Sequence, residues 1–80
     1  MKREQFLITS TIGHNVIKTK WNAANREVMR LIQEHANNSE GTWSLVESTS
    51  EKQGFYHVSG VRVWESDKGE KVTFFITKIA

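Results

Sequence analysis

Phe6, Ile8, Ser10 and Ile12 alternate with Leu7, Thr9 and Thr11 in a run rich in β-branched residues. A period of two predicts a strand over roughly residues 4 to 12. Gly13-His14-Asn15 supplies turn chemistry, and Val16 to Trp21 alternates again, with Lys18 and Lys20 on one face and Ile17, Thr19 and Trp21 on the other. The N-terminal unit, roughly residues 4 to 21, therefore reads as a hairpin. At Asn22 the period changes: Ala24, Val28, Leu31, Ile32 and His35 fall at the four, three and one spacing of a helical stripe. Asn22 is a good N-cap by type, so the helix is expected over 23 to 37, with Arg26, Arg30, Gln33 and Asn37 on its polar side. Asn37-Asn38-Ser39-Glu40-Gly41 stops it with residues that tolerate a left-handed backbone.

The remainder has strand character. Trp43, Leu45 and Val46 mark a third strand near 42 to 48, and Thr49 to Gly54 reads as a polar loop. Phe55 to Glu65 forms a fourth strand, Ser66-Asp67-Lys68-Gly69 a reversal suited to a type I turn with a bulge at Gly69, and Lys71 to Ile79 a fifth. One helix among strands must cover one face of a single sheet, which predicts a two-layer α+β domain of four to five strands in the order β-β-α-β-β-β. That layout resembles β-grasp domains, which implies a mixed sheet with the terminal strands side by side. The competing resemblance is to a cystatin-like arrangement, which implies a fused first strand before the helix and an antiparallel sheet after it. Neither resemblance carries functional residues across.

At 80 residues the chain builds one domain and one thin core. A content of 38% apolar and 25% charged residues is globular rather than disordered. The absence of cysteine removes disulfides, thiol nucleophiles and Cys-based zinc clusters. Phe6-Leu7-Ile8 and Phe74-Phe75-Ile76 are far shorter than a membrane span, and Met1 to Gln5 leads into no signal-like apolar region. A soluble, cytoplasmic chain with no membrane contact is the expectation. Residues 1 to 30 hold six Lys/Arg against two Glu, a surplus of +4, while residues 31 to 80 hold five against seven, a deficit of −2. Such asymmetry can mark a side that faces a polyanion.

Catalytic signals are weak. His14, His35 and His57 share no ligand spacing, and His35 continues the apolar stripe, where a half-buried histidine with one hydrogen bond is the usual finding. Asp67, the one aspartate, belongs to a turn; no serine sits in a nucleophile elbow, and the glycines do not form a phosphate loop. The expectation is no enzyme, no metal and no cofactor.

The informative excess is apolar residues on both faces of the sheet. Phe55, Val61 and Val63 share one parity in the fourth strand and Tyr56, Val58 and Trp64 the other; Val72, Phe74 and Ile76 oppose Phe75 and Ile79 in the fifth. With one helix available, a second face is covered by a partner, left exposed, or shifted in register by a bulge at Gly60 that would set Phe55, His57 and Ser59 beside Arg62 and Trp64. Arg62, Trp64, Phe75 and Tyr56 are the candidate partner-binding residues, since Trp, Tyr and Arg dominate interface hot spots. Lys18, Lys20, Arg26 and Arg30 are the candidates for an alternative, phosphate contact by a basic hairpin and helix with stacking on sheet aromatics. The sequence thus predicts a small non-enzymatic interaction module, an accessory or regulatory protein of the bacterial or phage kind. It would dock on a protein partner or form a homodimer through its sheet, with nucleic-acid binding as the alternative.

Overall fold

A computed structural model describes residues 4–80. Lys2 and Arg3, which contribute to the basic surplus of the first thirty residues, lie outside the described residues. The elements are β1 (Phe6–Ser10), β2 (Asn15–Lys18), α1 (Trp21–Asn37), β3 (Trp43–Gln53), β4 (Tyr56–Ser66) and β5 (Lys71–Lys78). All five strands join one sheet in the order β2-β1-β5-β4-β3, and every pairing is antiparallel. The two-layer α+β layout is as the sequence predicts. Each resemblance captures one feature: the terminal strands β1 and β5 are neighbours, as in a β-grasp layout, but they run antiparallel, so the sheet is not mixed.

The helix links β2 at one edge to β3 at the other and so covers one face of the sheet. Ala24, Val28, Leu31 and Ile32 bury there against Phe6 and Ile8 of β1 and Val72, Phe74 and Ile76 of β5. The expected stripe is correct with one addition, Glu27, which is also buried. Its carboxylate accepts two 2.8 Å hydrogen bonds from the Arg30 guanidinium, a bidentate fork that compensates its desolvation.

Trp21 changes the expected helix start. The N-cap is Lys20 without a side-chain hydrogen bond, rather than Asn22, and Trp21 opens the helix instead of closing β2. From the first turn its ring stacks on His57, 4.3 Å away and 2° from parallel, and meets Phe6 edge-on at 5.6 Å. These contacts outweigh a side-chain cap worth about 1 kcal/mol.

The second difference is β3. It continues through the segment read as a polar loop, and Gly54-Phe55 joins it to β4. The segment is polar because β3 is an edge strand exposed beyond Trp43 along its whole length, so ladder hydrogen bonds rather than burial hold it. Gly54, at φ 62 with no positive φ at Phe55, matches the first central position of a type II′ turn.

Register irregularities do occur, but not at Gly60. Gly60 pairs regularly with Ile76 and Ser50; the extra residues are Val58 in β4, opposite the Glu51/Lys52 step, and Val46 in β3. The Val58 bulge brings His57, alone of the three residues expected, to the side of Arg62 and Trp64, as its stacking on Trp21 requires. Gly60 instead makes room for the helix: a Cβ there would lie 2.8 Å from Trp21 Cη2, so glycine leaves the seat that the indole occupies.

Candidate docking surface

Strand register assigns the face opposite the helix. Across the sheet, Ile17 stands beside Leu7 and Leu7 beside Thr77; Thr9 stands beside Phe75 and Phe75 beside Val61; Thr73 stands beside Val63. Alternation along each strand puts all of these on one side, away from Phe6, Ile8, Phe74 and Ile76. The apolar members, Ile17, Leu7, Phe75, Val61 and Val63, run diagonally from β2 to β4, with threonines and Ser59 between and beside them. Ile17 is 53% exposed and Phe75 41%, and no element of the described residues covers them.

Charge on this face lies at the Val63 end of the stripe and to its β3 side. By register Glu47 stands beside Val63, Glu51 beside Ser59, and Glu65 beside Lys71. Lys71 reaches Glu65 at 3.6 Å, and no ion pair holds Glu47 or Glu51 among the described residues. The face is therefore an apolar diagonal with one carboxylate, Glu47, beyond its Val63 end and a second, Glu51, to its β3 side.

The four candidate partner-binding residues do not share one surface. Phe75 is on the open face; Arg62 and Trp64 are on the helix face; Tyr56 is 62% exposed at the far end of the β3–β4 hairpin, its ring 5.3 Å from Lys78 Nζ. The Arg62 guanidinium is spent within the fold. It donates to Asn25 Oδ1 at 2.9 Å and to the carbonyls of Val61 and Thr49, and lies 5.8 Å from the Trp21 ring. Desolvation there pushes its pKa down from the ordinary arginine value. Trp64 packs against the core and, with Trp43, Met29 and Ile32, lines a surface groove of about 180 Å³ beside the helix.

Of the basic candidates, Lys18 and Lys20 lie at the β2 edge where the helix departs, and Arg26 and Arg30 are exposed on the helix. Two carboxylates engage Arg30, Glu27 through the fork and Glu34 at 3.2 Å. Lys18 and His14 lie close enough to lower the pKa of Glu27, whose depression comes first from its hydrogen bond to Arg30. Acidic side chains thus offset part of the cationic face that phosphate would require.

The histidines take three separate positions. His57 stacks on Trp21, and His35 meets Trp43 edge-on at 5.2 Å. The single hydrogen bond expected of the His35 ring is not made: its Nε2, like Trp64 Nε1, is buried without a partner among the described residues. His14 Nδ1 lies 2.8 Å from Ser10 Oγ, a pairing found in hydrolases. Here that oxygen also accepts the backbone N–H groups of Ile12 and His14, so the serine closes the turn after β1. Among the described residues no three His, Asp or Glu side chains gather as metal ligands.

Comparison of the chain with protein-family models, curated proteins and solved structures returns no match. The functional reading rests on the surface alone.

Sequence reasoning identified Phe75, Val61 and Val63 as part of an apolar excess but missed Leu7, Ile17, Glu47 and Glu51. Alternation within β1 and β2 contained the first two. The last two needed the bulge at Val46, which resets the parity of β3.

Proposed function

We propose that this chain is a non-enzymatic protein-docking module, a small cytoplasmic accessory or regulatory protein of the bacterial or phage kind, acting through the sheet face opposite its helix. The observation that carries this reading is the continuous diagonal from Ile17 and Leu7 through Phe75 to Val61 and Val63, exposed at both its β2 end and its centre. An apolar centre with polar and charged groups at the margin is the anatomy of a protein interface. Among the described residues Lys71, the cation that register places on the same face, is matched by Glu65. No helix of the described residues is long and apolar enough to cross a membrane.

The test is enrichment from the native cell, with and without nuclease, comparing the wild type with Phe75→Thr. Threonine suits a strand and is already the commonest residue on this face, so the fold should persist while the aromatic anchor is lost. The reading expects a nuclease-resistant partner that the variant loses. Capture abolished by nuclease, or unchanged in the variant, would refute it.

A further inference from the structure

The apolar diagonal has a length, a width and a charged flank, and together they describe its occupant. We infer that the open sheet face receives an amphipathic helix of a partner protein, with Lys or Arg where it meets β3. This inference rests on the docking reading above and names the class of partner.

Length comes first. From β2 to β4 is three strand spacings, about 14 Å, and from the Ile17–Leu7 row to Val63 is four residues along the strands, about 13 Å. The diagonal is therefore about 19 Å long, which a helix of about 13 residues spans at 1.5 Å per residue. The stripe holds two neighbouring apolar side chains in the Ile17–Leu7 and Phe75–Val61 rows and one at Val63, a band that the single apolar face of a helix can cover. The fold already uses this solution on the other face, where Ala24, Val28, Leu31 and Ile32 of α1 lie on the sheet.

Charge then separates a partner helix from a second copy. Two copies packed face to face about an in-plane two-fold axis near Phe75 have two simple arrangements. An axis across the strands sets Glu47 of one copy opposite Glu51 of the other, because these residues flank Thr49 at equal spacing and Thr49 shares a row with Val61 and Phe75. An axis along the strands lays β3 over β2 and sets Glu51 against Ile17. The first opposes like charges and the second desolvates a carboxylate against isoleucine. A helix with a basic residue over the Val63 end and another on its β3 side meets Glu47 and Glu51 respectively with opposite charge and leaves their outer sides in water. Such flanking pairs contribute partner choice and orientation more than affinity, and the apolar diagonal supplies the burial.

The experiment uses two labelled peptides of about fourteen residues, long enough to span the diagonal as a helix. Both carry leucines at i, i+3, i+4 and i+7 spacing; one has lysines beside the leucine face and the other glutamates. Fluorescence anisotropy reads their binding to the full chain, and light scattering reads the oligomeric state of the protein alone. The lysine peptide is expected to bind about tenfold more tightly than the glutamate peptide, since exposed attractive pairs replace repulsive ones. Joint Glu47→Lys and Glu51→Lys substitution should invert that preference, and Phe75→Thr should weaken the lysine peptide about tenfold. Equal binding of the two peptides, no binding of the lysine peptide, or a preference that survives the Glu47 and Glu51 changes would overturn the inference. A dimer that Phe75→Thr dissociates would also overturn it while leaving the docking reading intact. Peptide binding indifferent to Phe75→Thr, in a protein that captures no partner through that residue, would remove both.

Discussion

Gly60→Ala tests how the helix is anchored to the sheet. Gly60 lies in an ordinary strand conformation, so alanine strains no backbone angle, and its lost chain entropy favours the folded state by about 0.4 to 1 kcal/mol. Space decides against it. The added Cβ would stand 2.8 Å from Trp21 Cη2, 3.1 Å from Arg62 Nη1 and 3.4 Å from the Thr49 carbonyl oxygen. Ordinary contacts between carbons are about 3.5 to 4.0 Å, so the indole must withdraw by about 0.7 Å or more. It has little room to do so, stacked on His57 and set edge-on against Phe6. Overpacking of this kind costs about 1 to 3 kcal/mol, and the entropic gain offsets part of it, leaving about 1 to 2 kcal/mol of destabilisation. In a domain of this size that lowers Tm by about 4 to 15 °C. Thermal unfolding followed by circular dichroism and tryptophan fluorescence measures it. Repeating the substitution in a Trp21→Ala background isolates the cause: the cost should largely vanish, giving a coupling of about 1 kcal/mol. A Gly60→Ala protein as stable as the wild type, or a cost that persists without Trp21, would refute the seat for the indole.

Other outcomes follow from the same structure. Leu31→Ala removes a side chain 5% exposed at the centre of the helix–sheet contact, and chemical denaturation should show a loss of about 2 to 5 kcal/mol. Glu27 is held below the ordinary carboxylate pKa, first by its hydrogen bond to Arg30, with burial opposing. Its contribution is therefore present above the ordinary value of 4.5 and is lost as pH falls through the lower folded value. Thermal melts of Glu27→Gln between neutral and acid pH should fall less steeply than those of the wild type, and parallel curves would contradict the assignment. Anisotropy with a generic oligonucleotide at low salt should detect no binding by the wild type. Binding that weakens with salt and disappears when Lys18, Lys20, Arg26 and Arg30 become glutamate would instead establish the phosphate-contacting alternative.

Periodicity made the element order and the helix stripe legible, because burial on one side writes itself into a sequence at 2.0 or 3.6 residues. It failed where burial was not the organising force. β3 beyond Trp43 carries no apolar pattern, since an exposed edge strand needs none, and half of it read as a loop. Trp21 read as the last residue of a strand because its contacts with His57 and Gly60 come from β4, more than thirty residues away. The candidate surface was partly legible for a related reason. An excess of apolar residues in β4 and β5 could be seen, but the acidic positions beside them depend on the bulge at Val46, and the side that His57 takes on the bulge at Val58. Arg62 illustrates the limit: its spacing from Trp64 suggested a paired interface motif, whereas its guanidinium serves Asn25 and two backbone carbonyls.

The central claim is the location of the docking surface, and amide NMR shift mapping tests it most directly. With the lysine-flanked peptide added to the isotopically labelled chain, shift changes should concentrate at Leu7, Ile17, Val61, Val63 and Phe75 and extend to Glu47 and Glu51. Changes concentrated at Lys20, Arg26 and Arg30, or around the groove of Met29, Trp43 and Trp64, would contradict it.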